Sequence, residues 1–196
     1  MLEEEYQPRR RLPQHLNSPP APESVFESGF QYEIRDATTA DLPAVREIYN
    51  HYVMNTTVTF DEKAMTLPAL RRKFEKAQKL GMPFLVAESP GGSLLGYAYV
   101  YPWRDRAAYR FTVESSIYLG PAATGKGLGK VLMQQLLERS KAAGIREIIA
   151  VIADKGADAS IEMHRKFGFK EIGRMGRVGF KFDRWLGTIL MQKSLK

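Results

Sequence analysis

Apolar and polar residues follow helix and strand periods along most of the chain, and this patterning begins at Tyr32. In segment 41–53 apolar residues recur every three or four positions, which predicts an amphipathic helix. Segment 128–143 repeats that spacing and stops at Gly144, which predicts a longer helix with a glycine end. Segment 145–153 is almost entirely apolar and predicts a strand that is covered on both faces. By the same criteria we predict helices over 67–80 and 158–167, and strands over 32–35, 84–88, 94–101, 111–119, 169–178 and 188–193.

The order of these elements predicts the topology of the sheet. Strand 111–119, helix 128–143 and strand 145–153 form a crossover unit, whose two strands should lie side by side and parallel. The shorter connections, such as the Pro-Gly-Gly turn at 90–92, are typical of hairpins and predict antiparallel neighbours. We therefore predict an α/β (α+β) fold in which helices flank a mixed central sheet with a βαβ core.

The first 31 residues differ in composition from the rest of the chain. They hold five prolines and lack a periodic apolar pattern, which predicts a disordered arm over residues 1–31. Residues 32–196 then form one domain, and a chain of this length can bury a single core.

The composition excludes several kinds of site. The chain has no cysteine, so disulfides, cysteine-ligated zinc and a thiol nucleophile are ruled out. Its three histidines, His15, His51 and His164, are far apart in sequence, and we expect no metal site. No apolar run approaches the roughly 20 residues of a membrane helix, and the acidic N-terminus lacks the apolar segment of a secretory signal. We therefore expect a cytoplasmic protein.

The loop inside the crossover unit is the strongest candidate for a ligand site. From Gly120 to Gly129 it reads Gly-Pro-Ala-Ala-Thr-Gly-Lys-Gly-Leu-Gly. Glycines let the backbone approach a ligand closely, and the helix that follows adds the positive end of its dipole. Together these features suit the binding of a pyrophosphate.

Three kinds of glycine loop can be compared with this one. A Walker A loop needs Ser or Thr after its lysine, but Gly127 follows Lys126 here. A dinucleotide-binding loop needs G-x-G-x-x-G, whereas the spacing here is G-x-G-x-G. The segment from Thr124 to Gly129 fits the coenzyme A pyrophosphate loop of GNAT acetyltransferases, apart from Thr at its first position.

From residue 34 to its C-terminus the chain resembles the phosphinothricin N-acetyltransferases and related amino-acid N-acetyltransferases, one branch of the GNAT superfamily. Besides the glycine loop, the resemblance is carried by IYNHY at 48–52, TVTF at 57–60, VESSIY at 113–118, MHRKFGF at 163–169 and VGFK at 178–181. Motifs in this number and order are far more specific than the loop alone. The resemblance implies the GNAT fold, acetyl-CoA as donor, an amino-acid-like amine as acceptor and often a homodimer.

Glu114 is the candidate general base. It lies in mid-strand among apolar residues, where an acid is costly without a purpose, and partial burial would raise its pKa into a useful range. An α-amino group titrates near roughly 8, so about a tenth is neutral at pH 7 and a modest base suffices. A Glu that points outward, or that pairs with an arginine, is the structural alternative. The resemblance adds His164 as a second acid/base or substrate contact, although a lone histidine on an apolar helix face is usually a packed core residue.

The resemblance also implies the ligand contacts. It places the pantetheine arm along the backbone of Ile117, Tyr118 and Leu119, where a backbone N–H could stabilise the oxyanion. The other predicted cofactor contacts are Thr124, Gly125, Lys126, Gly127, Leu128, Gly129 and Lys166. The predicted acceptor-binding residues are Phe60, Arg104, Arg106 and Tyr109. Arginine can pair bidentately with a carboxylate or phosphinate, although both arginines could equally belong to an ordinary basic loop.

The chain departs from the family pattern at several positions. Thr124 stands for the loop's Arg or Gln, Ala157 for an Asn before the last helix, and Gly187 for an Asp. The tyrosine that serves other GNAT branches as general acid is also absent, because the aromatic residues at the end of helix 158–167 are phenylalanines. These departures leave open a second interpretation, a catalytically idle acyl-CoA sensor. Within the enzyme class, an enzyme that acetylates proteins also stays open.

The net charge of +7 suits a polyanionic ligand but does not identify it. Coenzyme A, nucleic acid and an acidic membrane all carry the required charge. A nucleic-acid module would show a recognition helix or an aromatic strand platform, and the sequence shows neither. We therefore expect a small-molecule amine as partner, and neither nucleic acid nor membrane.

Overall fold

The computed structural model describes residues 30–196. The arm predicted over residues 1–31 therefore lies outside the described residues, except for its last two. The helices are α1 (Leu42–Asn55), α2 (Leu67–Lys79), α3 (Leu128–Ala142) and α4 (Asp158–Lys166). The strands are β1 (Glu33–Asp36), β2 (Phe84–Glu88), β3 (Leu94–Pro102), β4 (Thr112–Leu119), β5 (Glu147–Ala153), β6 (Lys170–Lys181) and β7 (Arg184–Ser194). Short 3-10 helices cover Thr39–Asp41, Ala107–Tyr109 and Pro121–Ala123.

Local sequence signals explain where the helices begin and end. Thr66 precedes α2, and its hydroxyl accepts a hydrogen bond from the amide of Ala69 at 3.4 Å. Pro68 occupies the first turn of α2, where a missing N–H leaves no hydrogen bond unmade. Helix α3 follows Gly127 and stops before Gly144, and both glycines adopt a left-handed backbone with φ of 81°. The periodicity and the glycine together therefore predict this helix correctly.

The seven strands form one sheet in the order β1-β2-β3-β4-β5-β7-β6. Within residues 30–196 only β4 and β5 run parallel, and every other neighbouring pair is antiparallel. These two strands are joined through α3, as the crossover rule predicts. The mixed sheet with a βαβ core is therefore confirmed.

The sheet separates two apolar layers. One face packs against α3 and α4 around side chains such as Leu132 and Ile148. The other face packs against α1 and α2 around Phe74 and Tyr97. Because side chains alternate along a strand, odd- and even-numbered residues of β4 contact different layers. Val113 belongs to the α3 layer and Tyr118 to the α1–α2 layer.

The C-terminal hairpin is longer than the sequence predicts. Its strands run over 170–181 and 184–194 instead of 169–178 and 188–193. Phe182 and Asp183 form its two-residue turn with φ of 51° and 55°. Such turns usually carry glycine or asparagine at positions of positive φ. Because neither residue occurs here, the sequence did not predict the turn, and both strands were predicted too short beside it.

Within residues 30–196, no helix is both long enough and apolar enough to cross a membrane. The same part of the chain has no group of three or more His, Asp or Glu side chains that could hold a metal ion. The cytoplasmic location and the absence of a metal stay predictions from the sequence.

Candidate active site

The parallel ladder between β4 and β5 is short. It covers three residue pairs, the last of which joins Glu114 to Ile149. Beyond this pair β4 stays hydrogen-bonded to β3 as far as Leu119, and β5 stays paired with β7 as far as Ala153. The facing edges of β4 and β5 therefore continue without a ladder partner among the described residues.

A cavity of about 480 Å³ fills the gap between the two strands. Residues 114–119 of β4 form one wall and residues 150–153 of β5 form another. The start of α4 and the turn before it form a third wall. Tyr52 of α1 and Val58 of the loop after α1 line the remaining side of the cavity. The glycine loop and Glu114 thus contribute to one continuous space.

The glycine loop brings the N-terminal end of α3 to this cavity. Gly125 and Gly127 have φ of 74° and 81°, a backbone that favours glycine. The first turn of α3 carries no acidic residue, so its free amides and the helix dipole present positive charge. Thr124, Gly125 and Gly129 line the cavity. This end of the cavity can hold a pyrophosphate.

Four of the predicted cofactor residues do not line the cavity. Lys126 lies over the ring of Phe30, with its Nζ 4.6 Å from the ring centroid. Gly127 is the N-cap of α3, Leu128 is fully buried in the core, and Lys166 is exposed in the last turn of α4. Ile117, Tyr118 and Leu119 do line it, so the structure gathers the predicted β4 residues and only part of the loop.

Glu114 lies where the β4–β5 ladder ends, and it lines the cavity. Its side chain shares the α1–α2 face of the sheet with Tyr118, because residues two and four apart on a strand point the same way. Burial raises the pKa of its carboxyl group, while the charges of Lys73 and Arg104 oppose that rise. A carboxylate with a raised pKa is a better general base than an exposed one.

His164 lines the same cavity from α4 and is 6% exposed. Its Nδ1 lies 2.8 Å from the carbonyl oxygen of Ser160, which assigns the proton to Nδ1 and leaves Nε2 as an acceptor. Burial lowers the pKa of His164, so the ring is neutral near pH 7. The ring of Phe169 meets it edge-on, with 4.8 Å between centroids. His164 is thus both a packed core residue and a polar wall of the cavity.

Tyr52 is a cavity residue that sequence reasoning missed. Its hydroxyl donates to the carbonyl of Leu119 at 2.7 Å, and its ring meets that of Tyr118 at 5.3 Å between centroids. Burial raises the pKa of Tyr52, so the phenol keeps its proton. The periodicity of α1 predicted only that Tyr52 packs inward. Tyr52 reaches the cavity because β4 and β5 separate beyond Glu114, and no pattern in the sequence indicates that separation.

The predicted acceptor residue Phe60 packs beside the cavity instead of lining it. Its ring covers Gly179, where an added Cβ would lie 2.5 Å from the ring. The same loop is fixed by the buried Lys181, whose Nζ donates to the carbonyl of Thr59 at 2.8 Å. Val58, two residues earlier, is the loop residue that reaches the cavity.

The other predicted acceptor residues lie in the loop between β3 and β4. Arg104 stacks on Trp103 at 4.2 Å, and its charge reaches Glu114. Arg106 caps a short 3-10 helix and Tyr109 ends it; both are exposed, and neither lines the cavity. All three residues are thus exposed and outside the cavity lining, and among them Arg104 is the one whose charge acts on Glu114.

The departures from the family pattern have local explanations. The hydroxyl of Thr124 donates to the carbonyl of Pro121 at 2.9 Å, which holds the loop itself. Ala157 lines the cavity without a polar group. Gly187 donates its N–H to the carboxylate of Asp154 at 3.0 Å, and an added Cβ would lie 2.6 Å from that carboxylate. The space beside residue 187 is therefore already filled.

A model of the acetyltransferase (GNAT) family matches residues 45–169, which is more than half of the chain. The chain belongs to the GNAT family of acetyltransferases. The matched segment contains strands β4 and β5, the glycine loop, Glu114 and His164. The enzyme is therefore an acyltransferase, and the βαβ core is its GNAT core.

Relatives of this GNAT chain include two curated enzymes. The phosphinothricin N-acetyltransferase of Alcaligenes faecalis is 40% identical over 186 residues, which cover 92% of each chain. The L-methionine sulfoximine/L-methionine sulfone acetyltransferase of Pseudomonas aeruginosa is 43% identical over 162 residues, 83% of this chain and 94% of the relative. Among solved structures, a phosphinothricin acetyltransferase of Sinorhizobium meliloti in complex with acetyl-CoA has a TM-score of 0.79 and 44% identity. The match covers 84% of this chain and 88% of that one.

Replacement of Glu114 by Gln should remove most of the acetyl transfer. A general base contributes roughly 10²- to 10⁴-fold, so we expect kcat to fall about 100-fold or more. In the wild type, kcat/KM should rise with pH through the raised pKa of Glu114, because the base works only when deprotonated. The variant should lack that limb in a pH profile measured by thiol release.

The folded state of the wild type binds the Glu114 proton more tightly than the unfolded state. Stability that depends on this proton is lost as the pH rises from the ordinary value of 4.5 through the raised pKa. Glu114→Gln should therefore resist urea at pH 7 as well as the wild type or better. Glu75→Gln, an exposed change on α2, serves as control and should alter neither rate nor stability. Full activity in Glu114→Gln would contradict the assignment.

Proposed function

We propose that this enzyme transfers the acetyl group of acetyl-CoA to the α-amino group of a small amino-acid-like acceptor. The observation that carries the proposal is the position of Glu114. Its partly buried carboxyl group lines the same cavity as the start of α3, at the point where β4 and β5 separate. An anion site and a base in one cavity are what a phosphate-bearing acyl donor and an amine acceptor require.

The cavity suits acetyl-CoA in shape and in chemistry. The pyrophosphate would bind at the amides of Gly125 and the first turn of α3. The pantetheine arm carries amide groups, and the unpaired edge of β4 from Ser115 to Leu119 offers the backbone hydrogen bonds that such an arm needs. The solved relative from Sinorhizobium meliloti, which contains acetyl-CoA, supports this assignment.

The chemistry requires two proton movements around one bond exchange. The acceptor's ammonium loses a proton to Glu114, directly or through water, and the free amine attacks the acetyl carbonyl carbon. The C–N bond forms, the C–S bond breaks and coenzyme A leaves as a thiolate, while the attacking nitrogen gives up its second proton, which balances the proton that the thiolate takes up. A backbone N–H of the free β4 edge can stabilise the oxyanion formed in between.

The leaving thiolate needs a proton, and Tyr52 can relay it from the nitrogen only after its hydroxyl turns away from the carbonyl of Leu119, to which it donates a hydrogen bond. Its phenol lines the cavity and keeps its proton because burial raises its pKa. Tyr52 would thus replace the tyrosine that is absent from the end of α4. His164, neutral and with Nε2 as an acceptor, is suited to orient the acceptor amine or a water molecule.

The demands on the base favour an α-amine over a lysine side chain. An α-amino group has a pKa near about 8, whereas a lysine amine near about 10.4 needs roughly 3.4 units of help at pH 7. Glu114 is a modest base and suits the first of these. The curated relatives are named for amino-acid analogues, which supports the same choice.

Thiol release measured across a panel of amino acids tests this function. The panel should include phosphinothricin, L-methionine sulfone, L-methionine sulfoximine and the common L-amino acids, each with acetyl-CoA. We expect turnover with at least one acceptor and none with the N-acetylated form of that acceptor. Acetyl-CoA binding by calorimetry without turnover on any of them would reject the proposal and favour the acyl-CoA sensor. Turnover on peptide N-termini alone would favour a protein acetyltransferase.

We further propose that the enzyme is a homodimer built on the C-terminal hairpin. Within the described residues, β6 lies at the edge of the sheet. Six large apolar side chains of the hairpin are 44–53% exposed, and we call them the hairpin patch: Ile172, Met175, Val178, Phe180, Phe182 and Trp185. An edge strand with exposed apolar residues is prone to pair with another chain unless it is covered. A second copy would cover this patch with the same patch about a two-fold axis.

Sedimentation velocity tests the dimer. The wild type should sediment as a dimer, and Trp185→Glu should shift it to a monomer because a charge would be buried in the interface. Leu80→Glu is the matched control, since Leu80 is 46% exposed but lies at the end of α2. A monomeric wild type, or dissociation by the control alone, would contradict the proposed interface.

A further inference from the structure

Aromatic and cationic side chains lie near Glu114 on the α2 side of the sheet. Tyr101 of β3 pairs across the ladder with Glu114, and Tyr99 pairs with Ser116. Residues directly opposite one another on an antiparallel ladder share a face. Tyr101 and Glu114 therefore lie side by side, and neither tyrosine lines the cavity between β4 and β5.

Lys73 reaches this face from α2. Its Nζ donates to the hydroxyl of Tyr99 at 2.7 Å, and it lies 4.6 Å and 5.2 Å from the ring centroids of Tyr99 and Tyr101. Lys73 is half-buried, whereas the two arginines before it on the helix are exposed. Two rings and a hydroxyl thus fix its ammonium group beside the tyrosine that adjoins Glu114. Its charge also lowers the pKa of Glu114.

Arg104 is the second cation near Glu114. Its guanidinium stacks on Trp103 in the loop after β3, and its charge also lowers the pKa of Glu114. Among residues 30–196, neither Lys73 nor Arg104 forms an ion pair with a carboxylate. Lys76, one turn further along α2, shows the contrast, because it is paired with Asp105 at 3.0 Å.

From this juxtaposition we infer that Lys73 binds the acceptor and, with Arg104, selects amino acids that carry a second anionic group. The inference rests on the proposed function and names its substrate class. An α-carboxylate supplies an anion for one of the two cations. A phosphinate or carboxylate on the acceptor's side chain supplies the anion for the other, and charge-assisted hydrogen bonds of this kind are strong and specific.

Phosphinothricin and L-methionine sulfone form a matched pair for the test. Both have the same carbon chain and a tetrahedral head with a methyl group and two oxygens. The head of phosphinothricin is a phosphinate with one negative charge, and that of the sulfone is neutral. A difference between them therefore reports the charge of the side chain at nearly constant shape.

The experiment compares steady-state kinetics of both acceptors in the wild type, Lys73→Met, Lys73→Arg and the control Lys79→Met. The wild type should prefer phosphinothricin. Lys73→Met should lower kcat/KM for phosphinothricin about 10- to 100-fold, mainly through KM, and for the sulfone by less than about 3-fold. Lys73→Arg should restore most of the preference, and the exposed Lys79→Met should keep it. Lys73→Gln, which can still hydrogen-bond Tyr99, replaces Lys73→Met if that variant does not fold.

Several outcomes would overturn the inference. A wild type that prefers the sulfone contradicts it without any variant. An equal loss for both acceptors in Lys73→Met, with a shifted pH profile, would mean that Lys73 acts only on the pKa of Glu114. Turnover that ignores acceptor charge would sink this inference and leave the proposed function standing. Absence of turnover on every amino acid would sink both.

Discussion

The parallel ladder between β4 and β5 ends after three residue pairs, at Glu114, and the candidate site depends on this early ending. Each strand keeps its other neighbour, so the sheet stays continuous elsewhere while two backbone edges face a gap. Backbone polar groups that are shielded from water without partners are costly. A ligand with amide groups of its own can satisfy them, and the pantetheine arm of acetyl-CoA is such a ligand. The feature that weakens the sheet locally is thus the feature that makes room for the donor.

The charged groups of the candidate site lie along or near the gap between β4 and β5. The start of α3 presents free amides and a helix dipole to the proposed pyrophosphate site, with no acidic residue in its first turn. In the proposed function Glu114 provides the negative group near the reacting amine; burial raises the pKa of its carboxyl group, and two cations limit that rise. Those cations also have no carboxylate partner of their own within residues 30–196. Lys73 and Arg104 therefore have two effects: they oppose the rise in the pKa of Glu114, and in the proposed function they remain available to an anionic acceptor.

The sequence predicts the parts of the site that local patterns determine. Helix α3 and strand β5 follow from periodicity, and the crossover rule makes β4 and β5 parallel neighbours. Glu114 could be recognised because an acid in an apolar strand is unusual. The length of the β4–β5 ladder could not be predicted, because the alternation of apolar residues along one strand does not show where the neighbouring strand separates from it. The contribution of Tyr52 to the cavity was missed for the same reason.

Residues on connecting segments were harder to place. Phe60, Arg106 and Tyr109 stay predicted acceptor contacts, and none of them lines the cavity: Phe60 packs on Gly179, and the other two are exposed. Lys73 shows the opposite case. It lies in a run of basic residues, which is typical of a solvent-exposed helix face. Only the packing of α2 on β3 shows that two tyrosines hold Lys73 near Glu114. Contacts between distant segments, unlike helix periods, leave no local pattern in the sequence.

A crystal structure of the enzyme with acetyl-CoA would show whether the donor occupies the gap between β4 and β5. We expect the diphosphate within hydrogen-bond distance, about 2.7–3.2 Å, of amides in the segment 125–129. We also expect the pantetheine arm along the free edge of β4, with the thioester on the side of the Glu114 carboxylate. A donor whose diphosphate lies away from the start of α3, or a Glu114 that points away from the thioester, would contradict this binding mode.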